Sequence, residues 1–453
     1  MTQFPRGFFW GSATSSYQIE GAAFEDGRGL SIWDMMCRKP GKVYEGHTGA
    51  LACDHYHRFR DDVGLMKQIG LQAYRFSIAW PRVLPHGTGE VNPAGLDFYD
   101  RLVDELLAAG ITPWATLYHW DLPLELYYRG GWLNQFSPEW FAEYAELIGK
   151  RLGDRVKHWM TLNEPACTIS LGLETGVHAP GDQLAFPETV RAAFYLMKAH
   201  GRAVQALRAT VTEAKIGLAQ VSASFFPASN SPQDIEAARQ MTFSAADGSF
   251  WQNAFWLEPM LLGHFPQDWL ENHARTLEGL NLDDLKIIQQ PLDFLGINIY
   301  HSRMVQAGLN GPEIVEFMPG CPRTMFKWPV TPESLYWNPR FIWERYGLPI
   351  VITENGLSNQ DWVSMDGKVH DPQRIDSTRR YLIQLRRAAR EGVNLLGYFH
   401  WSLMDNFEWG EGYSQRFGMV YVDFQTQERI PKDSARWYSK VIATHGAHLD
   451  RQV

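Results

Sequence analysis

Two periods alternate along this chain. Short apolar runs stop in polar or aromatic groups, and between them lie longer segments with apolar residues three and four apart. The runs cover residues 8–20 (FFWGSATSSYQIE), 73–80 (AYRFSIAW), 112–120 (TPWATLYHW), 157–165 (KHWMTLNEP), 215–221, 293–301 (DFLGINIYH), 349–356 (PIVITENG) and 395–403 (LLGYFHWSL). Each reads as a strand, and all but the fifth end in side chains that bear chemistry. Helical spacing occupies 61–69 up to Gly70, and a stretch that Asn92 caps and Pro93 opens, running through Leu96, Tyr99, Val103 and Leu106 to Gly110. It recurs over 137–152 and 189–208. A further helix opens at Asp371-Pro372, carries Ile375, Thr378, Leu382, Leu385 and Ala389 on one face, and stops at Gly392; residues 437–445 form the last. Residues 226–285 read as an irregular, partly helical insertion and 307–336 as a long loop.

Eight strand–helix units without a linker or a solenoid-length repeat predict an α/β fold. It is one single-domain (β/α)8 TIM barrel over residues 1–453, with long loops at the C-terminal face of the strands. In such barrels the chemistry sits where strands end. Two runs offer a glutamate there, Glu164 after Asn163 and Glu354 before Asn355 and Gly356, which makes a paired-carboxylate site. Cleaving a glycosidic bond through a covalent intermediate requires such a pair, one acid for the leaving oxygen and one carboxylate for the anomeric carbon. Arg75, on a neighbouring strand, is placed to hold Glu354 ionised, and Glu164 facing that charge in a dry pocket is the one kept protonated. A barrel-mouth ion pair without a catalytic part is the alternative for Arg75.

Composition narrows the class further. Hydrophobic residues make up 45% and charged residues 21% of 453, enough for a large core and unlike a disordered chain. A net charge of −9 argues against nucleic acid or an anionic membrane as partner. Cys37, Cys53, Cys167 and Cys321 are scattered without metal spacing, residues 1–9 lack a signal-peptide pattern, and no run reaches membrane-spanning length. A cytoplasmic enzyme follows, and a homo-oligomer is compatible with it. The 18 Trp residues exceed what a core alone requires and suit stacking on sugar rings. His55 and His57 alternate like a metal pair but have no third ligand, so packing is their reading. The basic cluster 374–390 reads as a helix's solvated face.

The strings FxWGxATxxYQxEG, YRFSIAW, YHWDLP, TLNEP, INxY, ITENG and WSLMDNFEW, in that order, resemble glycoside hydrolase family 1, the β-glucosidases, in a likeness that spans Phe8 to Trp437. The resemblance implies a retaining β-glycosidase that acts on terminal β-D-glucosyl, β-fucosyl and β-galactosyl residues of a small glycoside or oligosaccharide, with no metal and no cofactor. It makes Glu164 the acid/base and Glu354 the nucleophile. Asn163 then meets the sugar 2-OH, while Arg75, Asn298 and Tyr300 support the nucleophile. Gln18, His119, Glu408 and Trp409 bind glycone hydroxyls over a Trp401 floor. Trp328, Ala166 and His178 fall on the aglycone side. Singly, each has a plainer reading: Gln18 as a strand-end partner, His119 as a core histidine, the tryptophans as packing.

Departures from the family pattern lie toward the leaving group. Ala166 stands where the family often carries Trp after NEP, and Leu124 replaces a common Gln. A methyl at 166, pointing toward the entrance, predicts an open passage, bulky aglycones and mediocre cellobiose turnover. Relatives that act on 6-phosphorylated sugars usually carry Ser at the place of Glu408, whose charge opposes a phosphate. A 6-phospho-β-glycosidase and a non-catalytic sugar-binding barrel are the competing readings.

Overall fold

In the computed structural model, which describes residues 3–451, all eight apolar runs become strands of one closed, all-parallel barrel. Residues 1–2 and 452–453, the ends of the expected span and the start of the leader reading, lie outside the described residues. The strands are β1 (Phe9–Ala13), β2 (Ala73–Ser77), β3 (Thr112–Tyr118), β4 (His158–Asn163), β5 (Lys215–Val221), β6 (Leu295–Asn298), β7 (Ile350–Asn355) and β8 (Leu395–Trp401). They pair in chain order, and β1 closes the ring on β8 with Phe9 beside Gly397 and Ala13 beside Trp401.

Two apolar layers explain why the runs are so continuous. One face of each strand packs against the surrounding helices in a single large core. The other fills the barrel, where Ala13, Ala73, Trp114, Met160, Val351 and Phe399 form an inner plug beneath the mouth. A strand buried on both sides cannot alternate apolar with polar, so it reads as a solid apolar block.

Strict alternation fails just where the glutamates stand. Between Met160 and Asn163, β4 carries one residue more than β5 opposite it. Between Ile352 and Glu354, β7 does the same against β6. Such bulges re-aim side chains, here turning both Asn163 and Glu354 inward. Gly356 follows because a Cβ there would lie 1.8 Å from the Trp401 carbonyl oxygen.

Several local readings change. The first strand is shorter than residues 8–20: it ends at Ala13, and a short helix (Ser16–Ile19) carries Gln18. Asn92 precedes the helix Pro93–Ala108 without capping it, because its amide donates to the Asp26 and Arg82 carbonyls instead. The stretch 307–336 is not all loop. Its start pairs as a hairpin (Arg303–Gly308 with Gly311–Val315) that joins Phe225–Pro227 in a small sheet above the barrel. The helix Pro372–Arg390 is only partly a solvated face: Arg380, Arg387 and Arg390 are exposed, but Arg374 is fully buried between Asp361 and Asp371. His55 is tied to Asp62, and His57, on the exposed side, to Asp54.

Candidate active site

At the C-terminal mouth the barrel opens into a cavity of about 870 Å³, whose wall includes Glu164, Glu354 and Glu408. Glu164 ends β4 with a left-handed backbone (φ 44°), a costly conformation for a side-chain-bearing residue and one held here by its N–H bond to the Ala219 carbonyl at 2.7 Å. Trp120 and Trp409, on the same wall, also have positive φ (75° and 48°).

The two glutamates have unlike partners. Glu354 Oε1 receives the Arg75 guanidinium at 2.6 Å, and Oε2 receives the Tyr300 hydroxyl at 2.6 Å. Glu164 has no cation on it: Oε1 receives the Asn298 amide at 2.7 Å and Oε2 the Cys167 thiol at 3.1 Å. Burial raises both carboxyls above the ordinary value, and the charge of Glu354 raises Glu164 further, to about 7. Arg75 and Tyr300 oppose the rise at Glu354. One negative charge in the pair therefore settles on Glu354, with the proton on Glu164.

A connected network sets this geometry. Arg75 also donates to Asn163 Oδ1 at 2.5 Å and to Thr116 at 3.1 Å. Asn298 donates to Asn163 Oδ1 at 3.1 Å and accepts from Thr353 at 2.6 Å. Asn163 passes its own amide to His119 Nε2 at 3.1 Å, leaving one amide hydrogen without a partner among the described residues. The His119 ring lies near-parallel to both Trp401 and Trp409, 5.9 Å from each ring. Burial, reinforced by Arg75, holds it neutral. Glu408 is raised to about 8 by burial and then by the Glu354 charge, against one hydrogen bond from Gln18 at 3.2 Å. Its proton is thus held more tightly than in an ordinary carboxyl.

Most of the expected residues meet at the cavity: His119, Asn298, Tyr300, Trp401, Glu408, Trp409, Trp328 and His178 all line it. Arg75 and Asn163 lie beneath its wall. Gln18 is buried behind Glu408, its amide shared among Asn406, Phe407 and Glu408, so it reaches the cavity through Glu408 rather than directly. Ala166 is the clear correction. It is fully buried in the main apolar core and does not line the cavity, where Cys167, Leu171 and His178 form the neighbouring wall. Leu124 is likewise buried, in a short helix (Leu124–Tyr128) away from the opening.

Other lining residues escaped the sequence reading. Trp120 sits inside the YHWDLP string and was legible there; its indole donates to the Asn163 carbonyl at 2.9 Å. Phe326, stacked on Trp328 at 4.7 Å, and Trp251, at the outer end of the cavity wall, come from segments with no periodic pattern. Among the described residues, no three His, Cys, Asp or Glu side chains are grouped to hold a metal ion, and no helix is long and apolar enough to cross a membrane.

An eight-stranded parallel barrel with two buried, unequally partnered glutamates in a tryptophan-walled mouth defines a two-carboxylate glycoside-cleaving enzyme. The sequence pattern of glycosyl hydrolase family 1 matches residues 1–447. The chain is 47% identical to β-glucosidase A of Thermotoga maritima over 98% of both chains. It is 41% identical to a bifunctional β-D-glucosidase/β-D-fucosidase of Bifidobacterium breve, over 98% of this chain and 99% of the relative. The solved Thermotoga maritima β-glucosidase in complex with glucoimidazole superposes with a TM-score of 0.90 at 46% identity, covering 98% of this chain and 100% of the other. This chain belongs to glycosyl hydrolase family 1.

Proposed function

We propose that this protein hydrolyses terminal β-D-glucosyl residues of small glycosides and oligosaccharides, with β-fucosyl and β-galactosyl residues also accepted, by double displacement. Relatives named β-glucosidase and β-D-glucosidase/β-D-fucosidase support the substrate class. The observation that carries the assignment of roles is the unequal partnering of the two glutamates. Glu354, held ionised by Arg75 and oriented by Tyr300, attacks the anomeric carbon. Glu164, kept protonated by burial beside that charge, gives its proton to the leaving oxygen and later takes one from water. The free amide hydrogen of Asn163 meets the 2-OH, and Asn298 positions the acid while also helping to keep the nucleophile ionised. His119, Glu408 and Trp409 contact glycone hydroxyls above Trp401, with Gln18 steadying Glu408. Trp328 and His178 face the leaving group. Nucleic acid is not a partner at a net charge of −9. Four unpaired thiols fit a cytoplasmic location.

Replacing each glutamate separates the roles. Glu354→Ala loses turnover on every glycoside, and added azide restores cleavage with inverted product. Glu164→Ala retains the first step on dinitrophenyl glucosides, whose leaving group needs no proton, and loses it on alkyl glucosides. Equal losses on both substrate types would remove Glu164 from the acid role.

A further inference from the structure

Cys167 is buried against Glu164 and lines the same cavity, with its Sγ 3.1 Å from Glu164 Oε2. Its backbone N–H donates to the Glu164 carbonyl at 2.9 Å, so one turn carries both sulfur and carboxyl. The other carboxyl oxygen faces a group whose orientation follows from the network. Arg75 has donors only, so Asn163 must turn its oxygen toward it. Asn298 must then turn its NH₂ toward that oxygen, and the same NH₂ reaches Glu164 Oε1. A carboxyl that accepts on Oε1 carries its proton on Oε2. Among the described residues, the only hydrogen-bond partner of Oε2 is the Cys167 sulfur.

A thiol both donates and accepts, weakly in each direction. Resting on the assignment of Glu164 as the acid, we propose that Cys167 is a positioning residue for its proton. The sulfur receives the Oε2–H while the carboxyl is protonated, and the S–H turns to donate to Oε2 once that proton has left. In the first displacement Glu354 bonds to the anomeric carbon, and the glycosidic bond breaks with its electron pair on the leaving oxygen. That oxygen takes the proton from Glu164 Oε2. In the second, a water oxygen replaces Glu354 on the sugar and its proton returns to Oε2. The S–H bond stays intact throughout, since burial and the Glu164 and Glu354 charges push this thiol well above the ordinary value.

Other charged groups face Glu164 as well. Glu354 on β7 opposes its ionisation and Arg75 on β2 favours it, while Tyr300 and Glu408 feel the same pair of charges. These stay in place when position 167 changes, which isolates the sulfur's contribution. Cys167→Ala removes a donor from the ionised form. The basic limb of kcat/KM on an alkyl β-glucoside should then move up by about half a pH unit or more. Cys167→Ser offers a stronger donor and should move that limb down. A limb unmoved in both variants, or moved the same way in both, overturns the proposal. Thermal unfolding shows whether each variant is folded at the assay temperature. A double variant guards against a packing effect: with Glu164→Ala already in place, any change in kcat/KM that Cys167→Ala causes in the wild type should be largely absent. Losses that multiply independently overturn the proposal, because the sulfur then acts without the carboxyl. Failure of the acid assignment itself reads out separately, in the dinitrophenyl and alkyl comparison of the Glu164→Ala single variant.

Discussion

Arg75 donates one guanidinium nitrogen to Glu354 and another to Asn163, at 2.6 and 2.5 Å. The second bond does more than bridge two strands. By fixing the Asn163 oxygen it forces the Asn163 NH₂ onto His119 Nε2, so the histidine proton sits on Nδ1, a buried atom with no partner among the described residues. One arginine thus sets the charge of Glu354 and the tautomer of a ring on the cavity wall. Lysine at this position keeps a charge but cannot fork. Arg75→Lys should lower kcat/KM by roughly 10- to 100-fold, as expected for losing one charge-assisted hydrogen bond. Its acidic limb should also rise, because burial then raises Glu354 with less opposition; an unshifted limb would deny Arg75 that control.

The pH–rate profile of the wild type should be bell-shaped. Its basic limb reports Glu164 near pH 7, since activity needs that carboxyl protonated. Its acidic limb reports Glu354, whose ionised form attacks. With a dinitrophenyl glucoside the first step needs no acid, so a burst measurement of that step should lose the basic limb. Retention of the limb there would place it on another group.

Glu408 ties stability to pH. Its folded-state value of about 8 exceeds the ordinary 4.5, so the folded chain holds this proton where the unfolded chain has lost it. The stabilisation that this proton gives is complete below about pH 4.5 and disappears as pH rises toward 8. Glu164, raised to about 7, and Asp121, raised to about 7 by burial, add in the same direction. Glu408→Gln, neutral at every pH, should therefore raise Tm at pH 8 by about 2 °C or more while changing it little at pH 5. A Tm difference independent of pH would contradict the assignment.

Ala166→Trp tests the corrected position. A methyl packed into the core leaves no passage to narrow, so an indole there crowds its neighbours and should cost about 1–3 kcal/mol of stability. The ratio of cellobiose to aryl glucoside turnover should stay near that of the wild type. Improved cellobiose turnover without a drop in Tm would return position 166 to the entrance.

The barrel was readable because its strands are long apolar blocks and each ends in a polar group. Glu164 and Glu354 were readable for the same reason, as charges where such blocks stop, and Arg75 as a charge set inside one. The bulges on β4 and β7 were not, since one extra residue changes where a side chain points without changing the pattern around it. That is why Ala166 was aimed at the entrance and Cys167 was passed over: past Glu164 the left-handed turn breaks the count of faces. Gln18 was placed correctly in the chain but one layer too shallow, because a short helix replaces the expected strand end. The buried Arg374 was hidden by its neighbours Arg380, Arg387 and Arg390, whose exposure made the whole cluster look solvated.

The seam between β1 and β8 governs how this enzyme comes into being. Phe9 must wait for Gly397, and Gln18 for Asn406 and Phe407, nearly the whole chain later. During synthesis the first strand therefore leaves the ribosome with one edge bare, and that edge is a template for wrong pairing until the last strand arrives. A chain cut short between residues 356 and 394 would keep Glu164 and Glu354 yet leave the sheet open, with no Trp401 in the cavity wall. Catalysis in this molecule is an all-or-none product of ring closure, and partial chains should be both inactive and prone to aggregate.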